Sequence, residues 1–410
     1  MGSVWIAGSY QSDYARNYAR EGLEISDMVA EAVTGTLDSA GVAAEDVDAI
    51  HVGNAFGQLF TGQGQLGAMP ATTEPGLWGK PAARHEAACA SGSVAVLSAM
   101  ADIEAGRYDC VLVIGVEQER NVPGAEAPRH LAAAAWVGHE GQQATFMWPY
   151  MFSALADEYD RRYGLDDRHL HAIAELNMRN AKGNPLAQTR AWTFGPGSFA
   201  DDDAANPVVE GRLRRTDCSQ VTDGTAGVLL VSGRYLTSRA GRPASPASPP
   251  VRIAGWGHGT AGLSLQAKFD RSQGQPYVFP HVRQVVADAF LRAQIPDVTA
   301  LDGIETHDCF SMSEYMAIDH FGITGPGESW KAVENGDLER DGAIPVNPSG
   351  GLIGVGHPVG ASGVRMLRDA ARQVTGQAGD TQVAGARTFA TLNIGGSLTT
   401  TVSFVVTRED

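Results

Sequence analysis

The residues best suited to chemistry are two cysteines and two histidines in three separate segments. Cys89 stands in HEAACASGSVAV, directly before small residues that predict a closely packed helix. A cysteine at a helix N-terminus faces unpaired backbone N–H groups and the positive end of the helix dipole, which favour the thiolate and lower the pKa of the thiol. The same N–H groups can stabilise an oxyanion. These features favour a nucleophile at Cys89, and the alternative is a buried core cysteine.

A second segment, NPSGGLIGVGHPVGASG, places His357 between Gly356 and Pro358. A stretch so rich in glycine is typical of a backbone that turns sharply and comes close to another group. A histidine held rigidly in such a turn suits a general base. The alternative is a structural turn with a hydrogen-bonded histidine.

The third segment, IETHDCF, is predicted to be the end of a strand. Residues i and i+2 of a strand share a face, so His307 and Cys309 are expected to point into one pocket while Asp308 points away. A zinc site is the rival interpretation. Two soft ligands without a further His or Cys nearby make a poor zinc site, so we expect no metal.

The elements that carry these segments alternate between strands and helices, which predicts an α/β fold. SVWIAG, VDAIHVGN and DCVLVIGVE are predicted strands, and ISDMVAEAVTGTLDSAG is a predicted amphipathic helix. The pattern recurs after residue 251. Cys89-Ala90-Ser91-Gly92 and Gly360-Ala361-Ser362-Gly363 each open a helix that leads to a strand. An internal duplication is the economical interpretation.

The remaining segments divide the chain. Residues 1–117 and 216–236 are predicted to form the first half, 118–215 an inserted and mostly helical loop domain, 237–250 a linker rich in Pro, Ser and Ala, and 251–410 the second half. The aromatic residues of the insertion are expected in its core rather than along a substrate tunnel; they are Phe146, Trp148, Tyr150 and Phe152. GRLRR (211–215) is a candidate phosphate contact, and DDD (201–203) is predicted to be a solvated loop.

The composition excludes several classes of protein. The chain has 410 residues and a formal net charge of -16, which argues against nucleic acid or an anionic membrane as the main partner. Its four cysteines show no CxxC pairing, so disulfides are not expected and a reducing compartment is favoured. Neither a signal peptide nor a membrane-spanning run is predicted. We therefore expect a cytoplasmic location.

Taken together, the motifs resemble the thiolase superfamily across essentially the full chain. Thiolases have a Cys-x-Ser loop, matched by Cys89-Ala90-Ser91, and a Gly-His-Pro loop, matched by Gly356-His357-Pro358. The better-known members also have an Asn-Glu-Ala-Phe loop and a Cys-x-Gly loop. Here these places hold His307-Asp308-Cys309-Phe310 and Asn393-Ile394-Gly395. That combination is similar to thiolases of the sterol-carrier-protein-x type and to related acetyl-CoA acetyltransferases.

The resemblance implies an acyltransferase of lipid or fatty acid metabolism that acts on 3-ketoacyl-CoA by thiolysis, or by the reverse Claisen condensation. It implies that His357 takes the proton of Cys89 and that the backbone N–H groups of Cys89 and Gly395 form an oxyanion hole. His307 then helps to polarise the second thioester. Because Asn393 replaces the second thiol of the better-known enzymes, Cys309 is expected to move the proton at the α-carbon.

The resemblance also implies a fold of two duplicated βαβαβαββ halves in five layers (αβαβα) and a homodimer or homotetramer. No permanently bound cofactor is expected, with coenzyme A as substrate or product, and some related thiolases work with a small zinc-ribbon and OB-fold companion. Three alternatives remain open: a thiolase-fold retro-aldolase, a ketosynthase, and a non-catalytic CoA-binding protein.

Overall fold

The structure is a computed structural model that describes residues 2–239 and 249–409. Within them, eleven strands run in chain order: β1 (Val4–Gln11), β2 (Ala49–Gly53), β3 (Ala82–His85), β4 (Cys110–Glu117), β5 (Val208–Glu210), β6 (Leu213–Arg214), β7 (Gly224–Ser232), β8 (Val251–Thr260), β9 (Gly303–Thr306), β10 (Thr388–Gly395) and β11 (Thr400–Thr407). Most of the predicted linker, residues 240–248, lies outside the described residues.

The helices of the described residues are α1 (Ile25–Ala40), α2 (Gly57–Thr61), α3 (Met69–Thr73), α4 (Ser91–Glu104), α5 (Ala127–Leu131), α6 (Met147–Tyr163), α7 (Asp167–Ala181), α8 (Gly233–Arg239), α9 (Leu265–Arg271), α10 (Pro280–Ala293), α11 (Ser311–Phe321), α12 (Ser329–Asn335), α13 (Gly351–Val355) and α14 (Ser362–Val374). Short 3₁₀ turns connect several of them. None of these helices combines the length and the apolar character that crossing a membrane requires.

The two halves of the chain repeat one sheet topology, which confirms the predicted α/β duplication. In the first half the strand order is β3-β2-β4-β7-β1, and in the second it is β9-β10-β11-β8. The pairings also correspond, because β2 runs parallel to β4 as β9 does to β10, while the pairs β4–β7, β7–β1, β10–β11 and β11–β8 are antiparallel. The edge strand β3 of the first half also runs parallel to β2. In place of β3, the second half has a single bridge between Ile304 and Val346. The halves join where β1 pairs with β8 at Trp5 and Ile6.

Alternating side chains place each half of the sheet between two helical layers. On β4, Leu112 and Ile114 pack with α1, whereas Val111 and Val113 pack into a central cluster with α4 and α14. On β10, Phe389 belongs to that central cluster, whereas the residues at 392 and 394 pack on the outer side with α10 and α11. The order is therefore helix, sheet, helix, sheet, helix, as the resemblance implies.

The central helices α4 and α14 approach each other at glycines near their N-termini. A Cβ atom on Gly92 would lie 2.8 Å from the carbonyl oxygen of Gly360 and 3.1 Å from the backbone nitrogen of Val364. The close packing of α4 against α14 therefore requires small residues in the two similar segments, 89–92 and 360–363. This contact brings Cys89, just before α4, close to His357, just before α14.

Residues between β4 and β7 contain α5, α6, α7 and the two-stranded β5-β6 ribbon, in agreement with a mostly helical insertion. Asp166 caps α7, its side chain accepting a hydrogen bond from the Arg168 N–H. The predicted bounds of the insertion and of the two halves stay predictions, and helix α8 runs through the first residues of the predicted linker.

Candidate active site

Cys89 sits at the tip of a tight turn that leads into α4. The preceding residue, Ala88, has a left-handed backbone with φ of 50°, which is costly for a residue other than glycine. The hydroxyl of Ser91 holds the turn, accepting from the Ala87 N–H at 2.9 Å and donating to the Ala88 carbonyl at 2.6 Å. The backbone N–H groups of Cys89 itself and of Gly396 point at the sulfur.

The protonation of Cys89 differs from the sequence-based expectation. Burial raises the pKa of its thiol to about 12, with the carboxylate of Glu119 acting in the same direction and the two backbone N–H groups opposing them. The expectation of a lowered pKa was wrong because α4 begins at Ser91, and because loss of water around the sulfur outweighs the hydrogen bonds. A thiol in this state needs a base to become a nucleophile.

His357 has the protonation and orientation of such a base. Its Nδ1 atom lies 2.7 Å from the hydroxyl oxygen of Ser362, and that hydroxyl donates to the Pro358 carbonyl at 2.9 Å. The hydrogen-bond network therefore assigns the ring proton to Nδ1 and leaves Nε2 unprotonated. Burial and the charge of Arg365 lower the pKa of His357 to about 3. Its Nε2 atom is buried and has no hydrogen-bond partner among the described residues.

His307 has the opposite tautomer. Its Nδ1 atom lies 3.1 Å from the amide nitrogen of Asn393, whose oxygen accepts a hydrogen bond of 2.8 Å from Ser93. The amide therefore donates to Nδ1, so the ring proton of the neutral imidazole is on Nε2. Burial and the nearby His357 lower the pKa of His307 well below its usual value. His307 is thus a neutral hydrogen-bond donor.

The structure brings three of the predicted site residues together. The sulfur of Cys89 and one ring nitrogen each of His307 and His357 all lie within 4.8 Å of one another. The two imidazole rings meet edge to face, with centroids 5.2 Å apart. These atoms could also hold a soft metal ion, since two imidazoles and a thiol are ligands that zinc accepts. The expectation of a metal-free site therefore stays a prediction.

Cys309 faces the same cavity as Cys89, although not for the reason predicted. Strand β9 ends at Thr306, so His307 and Cys309 lie on the short connection to α11 and not on a strand. The Cys309 sulfur lies 3.9 Å from the hydroxyl of Ser313. Burial raises the pKa of Cys309 well above its usual value, and the proximity of Cys89 raises it further.

Asp308 points away from the cavity, as predicted, and positions the segment that leads to His357. Its carboxylate accepts hydrogen bonds from the backbone N–H groups of Leu352 and Ile353 at the start of α13. A side chain at Gly351 would collide with this carboxylate at 2.2 Å. The contact ties the connection that carries Cys309 to the helix that ends directly before Gly356 and His357.

Gly395 packs against the nucleophile turn. A Cβ atom there would lie 2.2 Å from the Ala87 carbonyl oxygen and 3.2 Å from the Ala90 nitrogen. The end of β10 can therefore approach the turn only because residue 395 lacks a side chain. The N–H that points at the Cys89 sulfur belongs to the next residue, Gly396.

A cavity of about 330 Å³ opens from Cys89 and His357 into the inserted segment. Phe146, Trp148 and Phe152 line it, so the expectation that the insertion's aromatic residues form only core was wrong for these three. Phe152 also packs on Phe310 with ring centroids 4.7 Å apart. The sequence pattern did not reveal this because one helix, α6, faces both the core and the cavity. Tyr150 is half-buried and packs beside the core.

The basic cluster GRLRR is mostly neutralised within the chain. Arg212 and Arg214 are ion-paired with aspartates, and those within 3.0 Å are Asp160, Asp167, Asp201 and Asp203. Asp201 and Asp203, the first and last residues of DDD, thus form ion pairs with Arg214. Arg215 lines the cavity and has no carboxylate within ion-pair distance among the described residues. Of the cluster, it is the candidate for contact with an anionic ligand.

Sequence reasoning missed three residues that shape the site: Ser362, Asn393 in its role as a partner of His307, and Glu119. Ser362 belongs to the GASG echo of the CASG segment, and that repeat was a signal of its importance. In the sequence, Asn393 was noted only because it stands in place of the cysteine of the Cys-x-Gly loop. Nothing in the local sequence around Glu119 distinguishes it from a surface acid.

Comparisons with known proteins agree with this geometry. Residues 4–191 match the model of the thiolase N-terminal domain, and residues 266–408 match that of the thiolase C-terminal-like domain. The chain belongs to the thiolase family. It is 32% identical to an acetyl-CoA acetyltransferase of Methanothermobacter thermautotrophicus over the whole of both chains, and 26% identical to human sterol carrier protein 2 over 97% of this chain and 71% of that protein.

Two solved structures share the thiolase fold with this chain. One is an Ltp2-ChsH2(DUF35) aldolase, which gives a TM-score of 0.77 at 18% identity and covers 99% of this chain and 98% of its own. The other is an acetyl-CoA acetyltransferase from Syntrophomonas wolfei, with a TM-score of 0.71 at 16% identity over the whole of both chains. At these identities the likeness concerns the fold alone.

Proposed function

We propose that this thiolase-family protein transfers acyl groups between coenzyme A thioesters through an acyl-enzyme on Cys89, by 3-ketoacyl-CoA thiolysis or the reverse Claisen condensation. The observation that supports it most strongly is the convergence of a thiol with two imidazoles of opposite tautomer within 4.8 Å. One imidazole accepts a proton and the other donates a hydrogen bond. Acyl transfer needs both functions.

In the thiolysis direction, Nε2 of His357 removes the thiol proton and the sulfur of Cys89 attacks the 3-keto carbon. The oxyanion is stabilised by backbone N–H groups of Cys89 and of the 395–396 turn. When the bond between carbons 2 and 3 breaks, the thioester enolate is stabilised by Nε2–H of His307 together with His357, which now carries a proton. The Cys309 thiol donates a proton to the enolate carbon, and acetyl-CoA or its homologue leaves.

The second half-reaction regenerates the enzyme. The thiol of an incoming coenzyme A gives its proton to the Cys309 thiolate and attacks the acyl group on Cys89. The departing Cys89 sulfur takes back the proton held by His357. Condensation is the same sequence in reverse, and its direction is set by substrate concentrations. A homodimer or homotetramer and a cytoplasmic location are part of the proposal.

A small companion protein also belongs to the proposal, and the Ltp2-ChsH2(DUF35) aldolase supports it, because that structural neighbour pairs Ltp2 with ChsH2(DUF35). The test is a thiolysis screen over 3-ketoacyl-CoAs from four carbons to bulky ring-bearing chains, with and without such a companion. We expect release of a shortened acyl-CoA that requires Cys89. Cleavage of 3-hydroxyacyl-CoA that persists in Cys89→Ala would instead identify a retro-aldolase.

A further inference from the structure

One wall of the cavity carries a buried carboxyl that the proposed reaction does not use. Glu119 lies two residues beyond the end of β4, with 1% of its surface exposed, and it lines the cavity together with Cys89. Among the described residues that line this cavity, it is the one carboxylate. Most of its neighbours there are apolar, including Leu131, Met147 and Val359.

The side chain of Glu119 is held in place without a cation. Its backbone N–H donates to the carboxylate of Asp223 at 2.7 Å, which fixes the chain. Its own carboxyl accepts a long hydrogen bond of 3.3 Å from the Val359 N–H, and the backbone N–H of Thr222 faces it as well. No lysine, arginine or histidine lies within ion-pair distance of this carboxyl in the described parts of the chain.

The neighbouring Glu117 is a buried carboxylate with a structural role, and its hydrogen-bond partners differ from those of Glu119. Glu117 accepts hydrogen bonds from the backbone N–H groups of Ala55, Phe56 and Gly360 at 2.9 Å each, and it does not line the cavity. Its pKa is raised by burial to about 7. Glu117 thus ties three backbone segments together, whereas Glu119 has fewer partners and faces a space that a ligand can enter.

Burial, followed by the charge of Glu117, raises the pKa of Glu119 well above its usual range. A carboxyl group in this wall offers hydrogen-bond acceptors, and its protonated form, which burial favours, also offers an O–H donor. Burying such a group in an apolar wall costs free energy unless a partner satisfies it. An acyl chain without oxygen offers no partner, whereas a hydroxyl or oxo group does.

The position of Glu119 along the cavity fixes where that oxygen must be. Its carboxyl accepts a hydrogen bond from the N–H of Val359, two residues beyond His357, and a ring nitrogen of His357 lies within 4.8 Å of the Cys89 sulfur. Cys89 and Glu119 line the same cavity. An acyl group attached to Cys89 is therefore expected to pass Glu119 near its first carbons. The bulk of the chain then meets the aromatic residues of the insertion.

We propose that Glu119 determines substrate specificity, binding by hydrogen bond a hydroxyl or oxo oxygen that an otherwise apolar acyl chain carries near Cys89 in addition to the reacting carbonyl groups. The substrate class is therefore an acyl-CoA with an additional oxygen on its chain, rather than one whose chain beyond the reacting carbonyl groups is plain hydrocarbon. The inference rests on the acyl-CoA site of the proposed function. It does not require that Glu119 take part in bond making or breaking.

The test measures binding, so that it does not depend on turnover. In a Cys89→Ala background the thioester stays intact, and calorimetry gives Kd for hexanoyl-CoA and for its 2-hydroxy and 3-hydroxy derivatives. The variants are Glu119→Gln, which keeps a donor and an acceptor, and Glu119→Leu, which removes both. Glu126→Gln is the matched control, because Glu126 is exposed and does not line the cavity.

With Glu119 in place we expect at least one hydroxylated thioester to bind ~10-fold or more tightly than hexanoyl-CoA, since a buried polar group left unpaired discriminates strongly. Glu119→Gln should keep the preference and Glu119→Leu should abolish it, while Glu126→Gln changes nothing. Equal affinity for plain and hydroxylated chains in the Cys89→Ala protein overturns the inference, as does an unchanged ratio in Glu119→Leu. Failure of the proposed function shows separately, as absence of any acyl adduct on native Cys89.

Discussion

The hydroxyl of Ser362 accepts a hydrogen bond from Nδ1–H of His357 and donates one to the Pro358 carbonyl. Two hydrogen bonds in series therefore fix the tautomer of the base and turn its free Nε2 atom toward the site. Ser362 begins the helix that repeats the one following Cys89. The duplicated halves thus supply the nucleophile from one copy and its base, with the residue that orients that base, from the other.

The role of Ser362 can be tested by Ser362→Ala. Without the hydroxyl, Nδ1 of His357 loses its acceptor and the ring can adopt the other tautomer, in which Nε2 carries the proton and cannot act as a base. We expect the rate of acyl-enzyme formation to fall ~10-fold or more, within the range of general-base catalysis. Rapid-quench mass spectrometry measures that rate. Ser238→Ala, at an exposed position, is the control, and equal rates for both variants would contradict the assignment.

Asn393 is predicted to control His307. Asn393→Leu removes the amide that donates to Nδ1 of His307, so the ring is no longer held as an Nε2–H donor toward the thioester oxygen. Formation of the acyl-enzyme should stay within a few-fold of the wild-type rate, while the carbon–carbon bond step falls ~10-fold or more. Measuring transacylation and condensation on the same preparation separates the two. A parallel loss of both would mean that Asn393 is needed for the fold of the site rather than for His307.

Cys309 is predicted to move the proton at the α-carbon. Cys309→Ala should reduce thiolysis and condensation by ~100-fold or more, as expected for loss of an acid/base group, and should leave acylation of Cys89 nearly intact. Exchange of the α-protons of acetyl-CoA with deuterium oxide, followed by mass spectrometry, gives the readout closest to this step. Cys110→Ala is the control, because Cys110 lies on β4 away from the cavity. Undiminished exchange in Cys309→Ala would assign the proton transfer to another group.

The pH dependence of Cys89 alkylation tests its protonation. A raised pKa means that the thiol is protonated at neutral pH and that its thiolate fraction still grows as pH increases. Labelling of the Cys89 peptide by iodoacetamide should therefore rise about tenfold per pH unit between pH 7 and 10, because only the thiolate reacts. The low pKa of His357 predicts no additional step near pH 6.5. A plateau below pH 9 would contradict the raised pKa and restore the low value expected from the helix N-terminus.

The fold was predictable from the sequence because its signals are local and repeated. Alternating strands and helices, and the echo between residues 89–92 and 360–363, indicated the duplication without knowledge of any contact. The Cys-x-Ser and Gly-His-Pro segments likewise pointed to Cys89 and His357, which the structure places close together. In these cases the residue types and their immediate neighbours carried the information.

What could not be predicted depends on contacts between distant parts of the chain. Ser93 and Asn393 are 300 positions apart, and their hydrogen bond sets the tautomer of His307. The direction of the Cys89 pKa shift was wrong because burial and Glu119 belong to tertiary packing rather than to the helix start. The aromatic lining of the cavity, formed by Phe146, Trp148 and Phe152, was missed for the same reason. A helix that faces both the core and a cavity has an ordinary amphipathic pattern.

The central claim is that Cys89 carries the acyl group, and the mass of the intact protein after brief exposure to acyl-CoA tests it most directly. We predict a mass increase equal to one acyl group per chain, located on the Cys89 peptide, reversed by excess coenzyme A and absent in Cys89→Ala. An adduct of the same yield in Cys89→Ala, or none on the wild-type protein with any acyl-CoA of the screen, would contradict the account.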